Sequence, residues 1–595
     1  MTLKKIICDS MTLLMTMLSM YSINCYFFYN NTNYKNSIVN IFLFGAILLT
    51  VYQYRNRSFT RDVKRGATIY ALMISSALVF GDSIYRTGSL SAVLGTFGLF
   101  FRSIVIILGF TYFIFISLAL LFDILTKIDL KKYTIYAKFE KLNFLYFWLV
   151  IFLCWLPIWL AFYPGTLSYD AIGQLIVYDT KFLYNHHPIL HTWFLGSIYN
   201  FGKNIFGSDE AGLVLYSIIQ MLVLSSIFSL SLSRLKKFRV NQLVIVTILL
   251  FLCFFPVISA MSFIPTKDVL FGGLYAYFLV QLYEICIVNK VILVDKRKLI
   301  ILTINVLALL FLRHNAIYIL CLSLIPTIFL FRRYWVKISI YGGTVVLIYL
   351  LISGPGYNIL GVVPVNKREM LSLPIQQIAL VYKRHGAELN QEDKDAIAKL
   401  LPGKIKDIHK LRNADPIKEV LDIKVLNENN YFYWRFYWRL FLAYPMDYFD
   451  AALNLNLAYW YPDVAHPDSL SGIGYIETNI ENEYYDVKRK SKLKGLYKLY
   501  EPIVEEAVLQ RMPVIGFISN IGAIIWLFLF GLVLCYVKKC SKLSVLFWPA
   551  LIFALTHMAG PLANLRYMVP LYMCFPFCFG LLINEKCITN EADNG

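Results

Sequence analysis

The sequence predicts an all-α polytopic membrane protein of about 14 transmembrane helices. Three observations carry that prediction. Hydrophobic residues make up 58% of the 595 positions and charged residues only 16%, a balance foreign to soluble globular domains. Apolar runs close to the roughly 20 residues that cross a bilayer recur along the chain. Lys and Arg collect in the short links between those runs, and 45 Phe and 42 Tyr provide interfacial anchors.

The net charge of +19 would by itself suit an acidic partner such as nucleic acid. Its placement in short links fits positive-inside topology instead, so no nucleic-acid partner is expected. Most of the eleven cysteines, Cys25, Cys154, Cys253, Cys321, Cys574 and Cys578 among them, lie in apolar runs, and no structural disulfide is expected. The N-terminal apolar run has the length of a span and no small-x-small cleavage site, so it reads as a retained first helix.

In chain order, predicted helices at 10–28, 37–54, 67–85 and 103–122 form a membrane extension over 1–126. A core over 127–353 follows, with helices at 143–162, 211–233, 241–262, 269–288, 299–312, 315–331 and 338–353. The polar segment 354–513 comes next, and helices at 514–537, 543–559 and 567–584 close a final region, 514–595. Arg55, Arg57, Arg61, Lys64 and Arg65 mark one cytoplasmic link, Arg234, Lys236, Lys237 and Arg239 another, and Lys538, Lys539 and Lys542 a third. Alternation between them places both termini in the cytoplasm. The first external loop, 163–210, and the 354–513 segment fall on the extracytoplasmic face.

That topology gathers chemistry on one side. Asp170, His186, His187, Lys267, Asp268, Arg313, His314, His557 and Arg566 all fall on the outer face, at or near helix ends. Ionisable groups at a bilayer boundary are costly unless they are used. Snorkelling accounts for any one of the three cations; three together, beside carboxylates and histidines, point to a shared anionic ligand. Moving a sugar from a polyprenyl phosphate requires little more. Cations stabilise the departing phosphate, and one carboxylate takes the proton of the acceptor hydroxyl. A single displacement inverts the anomeric centre without a second carboxylate as nucleophile. Asp170 is assigned as the base, with Lys267, Arg313 and Arg566 around the phosphate. Tyr169, His186, His187, His191, Asp268, His314 and Tyr567 are the other candidate substrate-binding residues. No metal ligands are assigned. The chemistry calls for no cofactor, with a divalent cation as an admissible addition.

The stretch YPGTLSYDAIGQL, then HHPILHTWFLGSIYNFGKNIFGSDEAGL, each beside an apolar helix, resembles the first external loop of membrane glycosyltransferases of the GT-C fold. His187-Pro188 resembles a His-Pro turn of that superfamily, and NLRYMVP (564–570) resembles its closing Arg-Tyr…Pro helix. The nearest likeness is an uncharacterised group of bacterial multi-spanning proteins that share YPG…YD…HHP and SLPIQQIA (372–379). The resemblance covers roughly 144–335 and the last helices. It implies a GT-C-like core, a polyprenyl-phosphate-linked sugar as donor, and a surface glycan, lipid or protein as acceptor. It further implies a bacterial plasma membrane and an acidic base at the position of Asp170. The chain lacks the Asp-Glu pair of better-known members and carries four additional helices ahead of the core.

Blander readings accompany each residue. Asp170 fits the cap of the short helix DAIGQLIVY, and Ser208-Asp209-Glu210 that of the next span. His187 and His191, four apart, have the spacing that puts two rings on one helix face; packing or substrate contact suits them better than a metal. Asp268 suits a pair with Lys267 or a cap. The external segment reads as two parts: charged soluble helices over 385–425, and an aromatic stretch with Arg435, Arg439 and Asp447 over 431–462, suited to the headgroup layer. The basic run KRKSKLKGLYK (488–498) reads as a solvated face. A lipid-linked-sugar flippase would show internal repeats and broken midplane helices, an acyltransferase would depend on His, and a non-catalytic scaffold of cell-surface polymer assembly would be indifferent to Asp170.

Overall fold

The computed structural model describes residues 10–27, 38–130, 142–167, 169–288, 295–463, 484–506, 508–512 and 515–585. Helices form wherever the apolar runs lie, and polar residues punctuate them. Helix α1 (Ser10–Phe27) and α2 (Ile38–Arg55) lead to α3 (Arg61–Thr87), whose N-cap Thr60 accepts from the Val63 amide. Gly88 ends α3 at φ 67°, a left-handed conformation that glycine adopts freely. Thr96 caps α4 (Phe97–Lys127) and Asn143 caps α5 (Phe144–Ala161).

The expected loop after α5 is itself helical. It folds into α6 (Tyr169–Asp179) and α7 (Ile189–Phe206), ahead of α8 (Asp209–Lys237), which Ser208 caps as expected. Helix α9 (Gln242–Phe254) stops where Pro256, without an N–H, breaks the span expected over 241–262. There follow α10 (Lys267–Tyr283), α11 (Lys296–Leu312), α12 (Ala316–Leu330) and α13 (Trp335–Leu351). After the polar segment come α17 (Ile521–Val537), α18 (Trp548–His557) and α19 (Leu565–Asn584), the polar segment itself holding α14 (Ser372–His385), α15 (Asn430–Ala443) and α16 (Pro445–Leu455).

Eight helical stretches among the described residues are long and apolar enough to cross a membrane: α2, α3, α4, α5, α8, Lys267–Val288, Arg332–Ile359 and α19. The chain is an all-helical polytopic membrane protein. Helix α10 is apolar and buried around nearly its whole circumference. Adjacent glycines let it approach its neighbours closely. A Cβ on Gly272 would stand 2.6 Å from the Met573 sulfur of α19, and one on Gly273 would stand 2.5 Å from Leu224 of α8. At such separations α10 and α19 run side by side from the same end of the bundle.

Within the polar segment, residues 371–448 share one core across the two parts its composition suggested. Ile375, Ile378 and Val381 of α14 share a core with Ile397, Leu400, Ile417, Tyr433, Phe436 and Tyr448. Gln377 of α14 holds the aromatic stretch, donating to the Tyr448 carbonyl and accepting from the Tyr437 hydroxyl at 2.6 Å, and Arg439 of that stretch pairs with Asp393 of the charged part. This body sits on the end of α3. Arg384 donates to the Gly88 carbonyl and Arg412 to that of Tyr85, and Asp450 accepts from the Leu90 amide. The N-terminal extension is thus the platform on which the polar segment rests. The lysines of the basic run over 488–498 are exposed, as expected of a solvated face, while its backbone and Arg489 are tied down. The amides of Lys490 and Lys492 donate to the carbonyls of Tyr163 and Leu160, and Arg489 to that of Phe162, strapping the end of α5.

Helix α6 is held by α7 at Gly196, where an added Cβ would overlap the Tyr178 ring. Gly196→Val is expected to lower stability by about 1–3 kcal/mol through overpacking, measured as thermal unfolding in detergent. An unchanged transition would show that the two helices do not pack this tightly.

Candidate active site

Six helix ends meet at the end of the bundle that carries the polar segment. Helices α6, α10, α12 and α19 begin there, and α11 and α18 finish there. Helix N-termini present unpaired amides and a positive dipole end, so four of the six ends favour an anion before side chains are counted.

Asp170, in the first turn of α6, does not cap its helix. Its Oδ2 takes the Lys267 ammonium at 3.0 Å and Arg566 Nη1 at 3.1 Å, with His187 Nδ1 at 3.9 Å. All three contacts use the same oxygen. Oδ1 has no hydrogen-bond partner among the described residues and is left to the cavity that Asp170 lines. Burial would raise this carboxyl's pKa, but Lys267 and Arg566 outweigh burial and hold it well below the usual carboxylate range. With the folded value depressed, its ion pairs contribute stability that is present above the ordinary pKa. That stability is lost only as pH falls through the depressed one.

Asp268, wholly buried, pairs with Arg313 Nη1 at 3.0 Å and Arg566 Nε at 3.5 Å, not with Lys267. These are charge contacts at unfavourable angles: both carboxylate oxygens, Arg313 Nη1 and Arg566 Nε lack hydrogen bonds. The buried Thr266 hydroxyl, which lines the same cavity, also lacks one. Arg313 Nη2 meets His557 Nε2 at 2.7 Å, and His557 Nδ1 lies 2.8 Å from the Phe553 carbonyl. That pairing fixes the imidazole as the Nδ1–H tautomer, with Nε2 accepting from the guanidinium. Asn315 supports it, donating to Thr556 at 3.0 Å.

These groups surround a cavity of about 700 Å³. Its floor comprises Asp170, His186, His187, Lys267, Arg313, His314, Arg566 and Tyr567, and its roof comes from the polar segment through Arg368, Glu369, Asp415, Lys418 and Glu419. In the roof Lys418 bridges Glu369 and Asp415, each at 2.7 Å. Burial, then the Lys267 charge, lowers His187 to about 3, and the same causes in the same order lower His314 to about 4. Both rings are neutral at neutral pH. The floor therefore holds three cations against two carboxylates.

The expected residues separate as follows. Asp170, His186, His187, Lys267, Arg313, His314, Arg566 and Tyr567 share the cavity, and Asp268 stands directly behind it. His191 does not join them. Helix α7 starts at Ile189, after His187, so the two rings never share a helix face. His191 is buried beneath α6, 2.6 Å from Gln174 and 3.2 Å from the Tyr216 hydroxyl. It positions α6. The Tyr169 backbone opens α6, while its side chain lies outside the described residues. Thr266, Asn315 and His557 were not assigned to the site from sequence, although each adjoins or faces an assigned residue; the roof residues carried no signal beyond charge. Among the described residues no three His, Cys, Asp or Glu side chains converge as metal ligands.

Residues 175–593, well over half of the chain, match the model of DUF6020, a family of unknown function. No curated protein and no solved structure matches the chain.

Removing one member of the buried pair leaves the other uncompensated. Asp268→Asn is expected to cost about 3–5 kcal/mol, and Asp268→Asn with Arg313→Gln less than the sum of the two, measured by thermal or denaturant unfolding. Strict additivity would show that the pair is not coupled. The stability difference between the native protein and Asp170→Asn should stay constant from about pH 8 to about pH 5. A narrowing gap would mean that the carboxylate titrates in that range.

Proposed function

The chain belongs to the DUF6020 family, and we infer that its cavity is the active site of an inverting glycosyltransferase using a polyprenyl-phosphate-linked sugar. The observation that carries this reading is Asp170 Oδ1, which has no hydrogen-bond partner among the described residues, on a residue lining a cavity with three cations in its floor. Asp170 accepts the proton of an acceptor hydroxyl as that oxygen attacks the anomeric carbon. The bond from that carbon to the phosphate oxygen breaks, and the lipid phosphate leaves with the additional negative charge. Lys267 and Arg566 meet that charge directly, and Arg313, which lines the same cavity but is paired with Asp268 and His557, adds its field from behind them. With the fourteen-helix, positive-inside topology the cavity opens to the extracytoplasmic side of a bacterial plasma membrane, where the lipid tail stays in the bilayer and the acceptor enters under the polar segment.

Asp170→Asn is expected to reduce transfer about 10²–10⁴-fold while leaving expression and lipid-phosphate binding in place. The assay is transfer of labelled sugar from a panel of polyprenyl-phosphate sugars in membranes. Transfer at native rates in Asp170→Asn would remove the base from the mechanism, and no transfer by the native protein from any donor of the panel would favour a scaffold or flippase.

A further inference from the structure

The two cations that would receive the donor phosphate already hold the base. Lys267 Nζ and Arg566 Nη1 lie 3.0 and 3.1 Å from the same oxygen of Asp170, and among the described residues no other cation contacts that oxygen. Arg313, the third cation, is committed elsewhere, to Asp268 and His557. A phosphate oxygen arriving at Lys267 or Arg566 therefore draws on positive charge that otherwise compensates the Asp170 carboxylate. Each ligand carries one negative charge in a phosphodiester and in a carboxylate, so the exchange leaves the buried cations neutralised throughout.

We propose that the donor's phosphate switches on its own catalytic base, by taking Lys267 and Arg566 from Asp170 Oδ2. This rests on the glycosyltransferase reading above and adds a compulsory order to it. Without donor, the carboxylate is neutralised by two cations and is a poor proton acceptor; an acceptor hydroxyl, or water, that enters first meets an inactive base. With donor seated, the carboxylate loses part of its compensating charge inside a low-dielectric cavity, and its affinity for a proton rises. Base and electrophile thus become competent together. The neighbouring groups favour this exchange. His187, beside Oδ2 and Lys267, is neutral and does not take the place of a cation. Asp268 pairs with Arg566 through Nε, leaving its Nη1 to turn from carboxylate to phosphate.

Difference infrared spectroscopy of the full-length protein in lipid nanodiscs tests this without knowledge of the sugar. Polyprenyl monophosphate is perfused over the film, and Asp170→Asn assigns the bands of that carboxyl. Binding is read from the phosphate bands of the same spectra. The expected result is loss of an ion-paired carboxylate band and gain of a band for a less strongly paired carboxyl, both absent from Asp170→Asn. Lys267→Met should shift the Asp170 band toward that second state before lipid is added. Phosphate bands with no Asp170-dependent change would overturn the switch while leaving the donor reading intact. Absence of phosphate binding would overturn both.

Discussion

Charge withdrawn from water has to be answered nearby, and this protein answers it within one cluster. Asp170 and Asp268 cannot stay ionised at the end of an apolar bundle without Lys267, Arg313 and Arg566. Arg566 joins the two carboxylates through different nitrogens. The five charges therefore form a connected set drawn from α6, α10, α11 and α19, and the relative positions of those helix ends are fixed by it.

Close packing makes the cluster attainable. The glycine pair of α10 admits α19 on one side and α8 on another, so Lys267, Asp268 and Arg566 emerge side by side instead of a side chain's length further apart. Behind the cluster a second, uncharged network holds α6 in place: His191 to Gln174 and Tyr216, and Gln220 from Tyr216 to the carbonyls of Ser262 and Ile264. The carboxylate is thus aimed by the side chains of Gln174, His191, Tyr216 and Gln220, which stand behind the cavity lining.

The polar segment completes the site from above. Its roof residues lie between Arg368 and Glu419, hundreds of positions from Asp170, and the amide of Ala414 donates to the Pro561 carbonyl at 2.8 Å where the two halves meet. Its other anchor is the end of α3, through Arg384 and Arg412. The four leading helices therefore bear on the site indirectly, by setting where its roof lies.

Much of this was legible in the residues themselves. Hydropathy and basic links determined the membrane class and the approximate place of each helix, because a bilayer imposes length and polarity on every span independently of its neighbours. Chemistry-bearing residues at helix ends, such as Asp170, Lys267, Arg313 and Arg566, could be recognised because charge there needs a reason. Pairing was a different matter. That Asp268 serves Arg313, that His191 lies beneath α6 while His187 faces the cavity, and that His557 orders a guanidinium were decided only by tertiary packing. Those contacts depend on the rotation and register of helices far apart in the chain, which local pattern does not encode. The shared core of residues 371–448 was hidden for the same reason: composition changes abruptly near residue 430, but the core around Tyr448 and the Arg439–Asp393 pair cross that change.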